Sequence, residues 1–120
     1  MTVLNVDDSM TMRKIVTLAL KGQGHSVLEA ENGKQALELL PTQKVDAIIL
    51  DINMPVMTGI EFLKEAKKIP KLAAIPVIVL TTQGEDDLKN QALALGAKAF
   101  MVKPFQKDEL LAVLNKLVKY

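Results

Sequence analysis

The chain has 120 residues, with fifteen Lys and Arg against fourteen Asp and Glu, a formal net charge of +1 and no cysteine. That length suits one domain spanning 1–120 with a real hydrophobic core and no fused effector. The missing cysteine excludes disulfides, a thiol nucleophile and Cys-ligated zinc, and the near-zero charge argues against a nucleic acid or an anionic membrane as partner. The longest apolar run is about Ala47–Leu50, too short to span a bilayer. The opening Met-Thr-Val-Leu-Asn-Val-Asp-Asp has no basic stretch before an apolar one, so a cytoplasmic location is expected.

In chain order, short blocks rich in β-branched residues alternate with stretches of helical spacing. The first block, Val3-Leu4-Asn5-Val6, leads into a helix whose expected core stripe is Met12, Ile15, Val16 and Ala19. Ser9 can cap its start, and Gly22 and Gly24 end it. Ser26-Val27-Leu28 is the second strand, Lys34–Leu40 a short helix, and Pro41 closes that helix. His25, the only histidine, is expected to be a solvated turn residue. Val45–Leu50 is the third strand, and a helix follows over Gly59–Lys68, capped by Thr58. Pro70 and Pro76 bracket a loop before the fourth strand, Val77–Leu80. Glu85 and Asp86 favour the start of a helix that Gly96 ends, with Leu88, Ala92 and Leu95 as its core stripe. Ala99–Val102 is the fifth strand, and Leu110, Leu111, Leu114, Leu117 and Val118 line one stripe of the last helix. Strands apolar on successive residues are covered on both faces, so the reading is α/β: a parallel sheet with helices on both sides.

Ligands of open α/β sheets bind beyond the carboxyl ends of the strands. The residues leaving the strands are Asp7-Asp8, Asp51, Thr81-Thr82 and Lys103, while Ala30-Glu31-Asn32-Gly33 reads as a turn. Three carboxylates crowded together repel unless a cation intervenes. Lys103 offsets part of that charge, and a hard divalent ion such as Mg²⁺, or Mn²⁺ in its place, offsets the rest. A carboxylate beside such an ion, an ammonium and a hydroxyl is equipped to accept a phosphoryl group in line. On chemistry alone the nucleophile is Asp51, Asp7 or Asp8.

Val6-Asp7-Asp8-Ser9, Asp51-Ile52-Asn53-Met54-Pro55, Gly59, Thr81, Gly96-Ala97 and Lys103-Pro104-Phe105 span the chain in one order and spacing. Together they resemble the receiver domain of two-component response regulators, in particular the CheY-like, stand-alone chemotaxis regulators. The resemblance implies a flavodoxin-like (βα)5 sheet of five parallel strands in the order 2-1-3-4-5, an order known for this family. It implies that Asp51 is the phospho-acceptor. It implies that Asp8, Asp51 and the backbone carbonyl of Asn53 hold Mg²⁺, with Asp7 acting through water. Thr81 would bond a phosphoryl oxygen, and Lys103 would pair with the phosphoryl group across a cis Lys103–Pro104 bond. Phe100 would be an aromatic switch that follows Thr81.

The implied partners are a histidine kinase as donor and a downstream protein, a flagellar motor switch or a phosphatase, with a monomer as the resting state. The chain would be a signalling switch rather than an enzyme, although it would catalyse its own phosphotransfer and dephosphorylation. Thr58 stands where many relatives carry Asp and caps nearly as well. Asn53 and Gln83 occupy positions that help set the phosphoryl lifetime in this family.

Each residue also has a plainer reading. Asp7 and Asp8 would serve as helix caps, Thr81 as a favoured strand residue, and Phe100 as core. The six methionines serve as packing, with Met10, Met54 and Met57 near the acidic rim. Leu93 lies about 130° and Val113 about 100° from the core stripes of their helices. Leu93, Phe100 and Val113, with Lys89 and Lys116 around them, are therefore candidates for a partner surface. An aspartyl-phosphate phosphatase would carry a second Asp where Asn53 stands, and a phosphorylation-independent adaptor would lack one of the five site residues. A phosphate sink is a further possible role.

Overall fold

A computed structural model describes residues 1–52, 54, 56–81, 86–103 and 106–117. β-Branched residues dominate the buried strands, where their stiff side chains pack well on a pleated surface. The strands are β1 (Thr2–Val6), β2 (Ser26–Ala30), β3 (Ala47–Leu50), β4 (Val77–Thr81) and β5 (Ala99–Val102). The helices are α1 (Met10–Lys21), α2 (Gly33–Leu39), α3 (Gly59–Lys67), α4 (Pro70–Ala73), α5 (Asp86–Ala94) and α6 (Lys107–Leu117). The sheet has the order β2-β1-β3-β4-β5, all pairs parallel, as the resemblance implies. The one-turn α4 lies inside the stretch expected to be a loop. Pro70 starts it at a position where the missing N–H costs nothing.

The sheet separates two cores. Leu4, Val6, Ile48, Leu50, Val77 and Val79 face Phe62, Leu63, Leu72 and Ala92 from α3, α4 and α5. Val3, Ile49, Ile78 and Leu80 face Val16 and Leu20 of α1 and Leu110, Leu111 and Leu114 of α6. Leu117 of α6 packs partly buried against the second core, while Val118 lies outside the described residues. Leu88 and Leu95 pack around Ala92, as expected for α5.

The stripe expected for α1 is rotated. Arg13, Val16, Thr17, Ala19 and Leu20 are buried, whereas Ile15 is 49% exposed and Met12 half-buried. Two polar residues take core positions because Asn5 of β1 reaches them: its amide donates to the Arg13 carbonyl at 3.1 Å and to Thr17 Oγ1 at 3.3 Å. Periodicity of apolar residues alone cannot register that. His25 likewise corrects its expectation: it is buried, its N–H donating to the Leu20 carbonyl at 3.2 Å. Its Nδ1 lies 3.5 Å from the Met1 amine. Burial, and secondarily the positive N-terminus, lower its pKa.

The caps behave as read. Ser9 accepts from the Met12 N–H, and Thr58 forms a reciprocal capping box with Glu61. Gly96 ends α5 at φ 106°, a conformation open to glycine and costly for other residues.

Candidate functional site

Strand register assembles the site. Val6 pairs with both Ala30 and Leu50, so the residues leaving β1 and β3 emerge side by side. The Asp51 N–H donates to the Val6 carbonyl at 2.9 Å, and the Asp7 N–H to the Ala30 carbonyl at 3.1 Å. Thr81 pairs with Val102, and the Lys103 N–H donates to the Thr81 carbonyl at 2.7 Å, so Lys103 begins where β4 ends. The crevice therefore opens at the β1/β3 boundary, where α1 and α3 leave to opposite faces of the sheet.

Asp7, Asp8 and Asp51 each place a carboxylate oxygen within 4.8 Å of the others. Asp7 and Asp51 are buried, and Asp8 is exposed at the mouth. Lys103 Nζ lies 2.8 Å from Asp7 Oδ2 and 4.0 Å from Asp51 Oδ2, with its side chain only 7% exposed. Among the described residues, Lys103 sets its ammonium against two of these three carboxylates, and the cluster as a whole is acidic. An all-oxygen donor set of that sign, open to solvent through Asp8, fits Mg²⁺, which keeps several waters and takes one or two carboxylates. Thr81 is fully buried at the same rim.

Gly59 closes the floor. A Cβ there would sit 2.5 Å from the Asp51 carbonyl oxygen and 2.7 Å from Ile52 Cα, so only glycine admits the β3–α3 turn at this distance. The Gly59 N–H donates to the Ile52 carbonyl at 2.8 Å and locks that approach. The same turn holds Val56 at φ 68°, an unusual conformation for a β-branched side chain, 74% exposed. Met54 is buried in the core, Met57 packs near Gly33 at the start of α2, and Met10 is 62% exposed beside Ser9. Asn53, Pro55, Thr82, Gln83, Pro104 and Phe105 lie outside the described residues, and with them the expected carbonyl ligand and the Lys103–Pro104 bond.

Two residues not singled out from the sequence, Arg13 and Glu29, adjoin the cluster. Arg13 Nη1 donates to the Asp7 carbonyl at 2.7 Å, and Nε bonds Glu29 Oε1 at 3.1 Å. Nothing in apolar periodicity marks them. The signal that could have found them is an Arg six residues after the acidic pair's first member, with a Glu in the neighbouring strand. For the candidate partner surface, Leu93 is 39% exposed. Phe100 packs partly buried on the α3–α5 side of the sheet, and Val113 packs partly buried on the α1–α6 side. Lys89 and Lys116 are exposed. These residues therefore flank the β5 edge from both sides.

A family model for the response regulator receiver domain matches residues 3–115. The phosphate regulon transcriptional regulatory protein PhoB of Pseudomonas aeruginosa is 39% identical over 118 residues, covering 98% of this chain and 52% of that protein. The chain thus spans about half the length of that relative. Chemotaxis protein CheY of Bacillus subtilis is 42% identical over 115 residues, covering 95% of this chain and 94% of that one. Among solved structures, the receiver domain of the sensor histidine kinase PA1611 of Pseudomonas aeruginosa PAO1 superposes with a TM-score of 0.91 at 25% identity. That match covers 99% of this chain and 98% of the other, which holds a magnesium ion coordinated in its active site cleft.

Proposed function

We propose, since this chain belongs to the response regulator receiver domain family, that it is a phosphorylation switch in which Asp51 accepts a phosphoryl group from a histidine kinase. The observation that carries this reading is the convergence of Asp7, Asp8 and Asp51 within 4.8 Å, with Lys103 between Asp7 and Asp51.

In the proposed reaction an Asp51 carboxylate oxygen attacks the phosphorus in line. The O–P bond forms as the bond from phosphorus to the donor imidazole breaks, and the leaving nitrogen keeps the electron pair. Asp8 and Asp51, with the carbonyl of Asn53, are the residues that would hold Mg²⁺ directly, and Asp7 would hold it through water. The bound ion would supply charge neutralisation on the phosphoryl oxygens. Lys103 already reaches toward Asp51 and pairs with the incoming phosphoryl group, sharing its charge between that group and Asp7. Thr81 donates its hydroxyl to a phosphoryl oxygen from the end of β4. Phe100, on β5 beside Val79, is the residue whose packing follows Thr81. The Leu93, Phe100, Val113, Lys89 and Lys116 region is the surface that reads the change. The switch is a population shift between two conformers rather than turnover of a substrate.

A chemotaxis role is supported by the Bacillus subtilis relative, which is nearly the same length as this chain. The output partner is then a flagellar motor switch or a phosphatase. Among the described residues, no helix is long and apolar enough to cross a membrane; the proposed reading is of a cytoplasmic monomer.

Incubation with acetyl phosphate and Mg²⁺, followed by intact-mass measurement, tests the reading. One added phosphoryl group that Asp51→Asn abolishes is the expected result. Rapid multiple turnover of phosphate esters would instead make the chain a phosphatase, and no adduct with any small donor would make it an adaptor. Capture of partners with beryllofluoride-treated and untreated protein then decides the output, because only activation-dependent partners count.

A further inference from the structure

We propose that Arg13 is a positioning residue for the metal-binding carboxylates, acting through the Asp7–Asp8 peptide; this rests on the metal reading of the acidic cluster. All four polar atoms of Asp7 are engaged. Its N–H donates to Ala30 O at 3.1 Å, Oδ1 accepts from the Ser9 N–H at 2.9 Å, and Oδ2 accepts from Lys103 at 2.8 Å. Its carbonyl accepts from Arg13 Nη1 at 2.7 Å. That last bond restrains the plane of the peptide from which Asp8 is hung. Asp8 is exposed, so its aim at the cluster depends on that plane.

Arg13 is itself over-determined. It is 8% exposed, its backbone carbonyl accepts from Asn5 Nδ2 at 3.1 Å, and its Nε is paired with Glu29 of the edge strand β2 at 3.1 Å. The guanidinium fork makes the two side-chain bonds at once in divergent directions, which a single ammonium on a shorter stem reproduces only in part. Glu29 neutralises the cation, so Arg13 holds the Asp7 carbonyl without adding net positive charge beside a cation site. Partners that orient a metal's ligands commonly set affinity by one to two orders of magnitude.

The geometry separates from simple charge in a Mg²⁺ titration of the intact protein, read at a temperature where each variant is fully folded. Arg13→Lys keeps the charge and is expected to weaken Mg²⁺ binding about tenfold. Arg13→Met is expected to weaken it at least as much, although it removes a cation from the vicinity of the site. Ile78→Val, a change in the apolar core of β4, supplies the stability control and should bind Mg²⁺ like the parent. Parent-like affinity in Arg13→Lys, or tighter binding in Arg13→Met, overturns the role of Arg13. A parent protein that binds no Mg²⁺ overturns the metal reading itself, a separate outcome. Should Arg13→Met fail to fold, Arg13→Lys decides alone.

Discussion

The two faces of the sheet solve the same packing problem differently. On the α2–α5 face, Leu4 and Val6 of β1 meet Phe62, Leu63 and Ala66 of α3 in an apolar core. On the α1–α6 face, β1 places Asn5 between Val3 and the acidic turn, and α1 answers with Arg13 and Thr17. An apolar side chain at each of those positions would pack with fewer conditions, because a buried polar group is tolerable only when it is bonded. The polar face is the one that reaches the Asp7 carbonyl. Both faces carry an apolar core, but the α1–α6 face also gives up part of its apolar area to a chain of polar bonds that ends at the Asp7 carbonyl.

That division can be broken from the apolar side first. Phe62 is fully buried in the apolar cluster of that face, so Phe62→Ala should cost about 3–5 kcal/mol in denaturant unfolding. Its Mg²⁺ affinity, measured below the melting transition, should stay that of the parent. On the polar face Asn5→Ala removes the two bonds donated to the Arg13 carbonyl and the Thr17 hydroxyl, at about 1–3 kcal/mol. It should also weaken Mg²⁺ binding, since Arg13 loses its support. Equal Mg²⁺ affinities in the two variants would erase the contrast.

Smaller effects sharpen it. Asp8→Ala should stabilise the metal-free protein by about 1 kcal/mol at low salt, by relieving repulsion at the cluster. It should also abolish the Mg²⁺-induced rise in melting temperature. In the parent that rise should correspond to about 0.4–1.4 kcal/mol at one to ten times the dissociation constant. Smallest is the effect of His25, where α1 hands over to β2. Its folded pKa is lowered by burial and then by the N-terminus. The unfolded chain therefore binds more protons as pH drops below 6.5, the ordinary histidine value. The His25 contribution is complete above that pH and is lost as pH falls through the folded pKa. Unfolding free energies of parent and His25→Gln across that range should diverge, with the shallower dependence in the variant.

The convergence of Asp7, Asp51 and Lys103 was legible because they sit at strand ends, where short β-branched runs point to them: Asp51 after Leu50, Lys103 after Val102, Asp7 after Val6. Strand order could not be read from spacing, and it is the order that brings those ends together. What stayed hidden was polar and three-dimensional. Arg13 and Thr17 look like the solvent side of an amphipathic helix until Asn5 is seen beneath them, and Ile15 looks like core until the helix is seen rotated away from it. His25 follows Gly22-Gln23-Gly24 and reads as a turn, yet the chain folds it inward beneath Met1. The α4 turn is too short for periodicity to register at all.

The proposed phospho-acceptor, Asp51, is open to direct measurement. Treatment with acetyl phosphate and Mg²⁺, reductive trapping of the acyl phosphate with borohydride, and peptide mapping by mass spectrometry locate the modified residue directly. The expected result is a single reduced carboxyl, at Asp51, that depends on Mg²⁺. Label at Asp7 or Asp8 with Asp51 unmodified would contradict it.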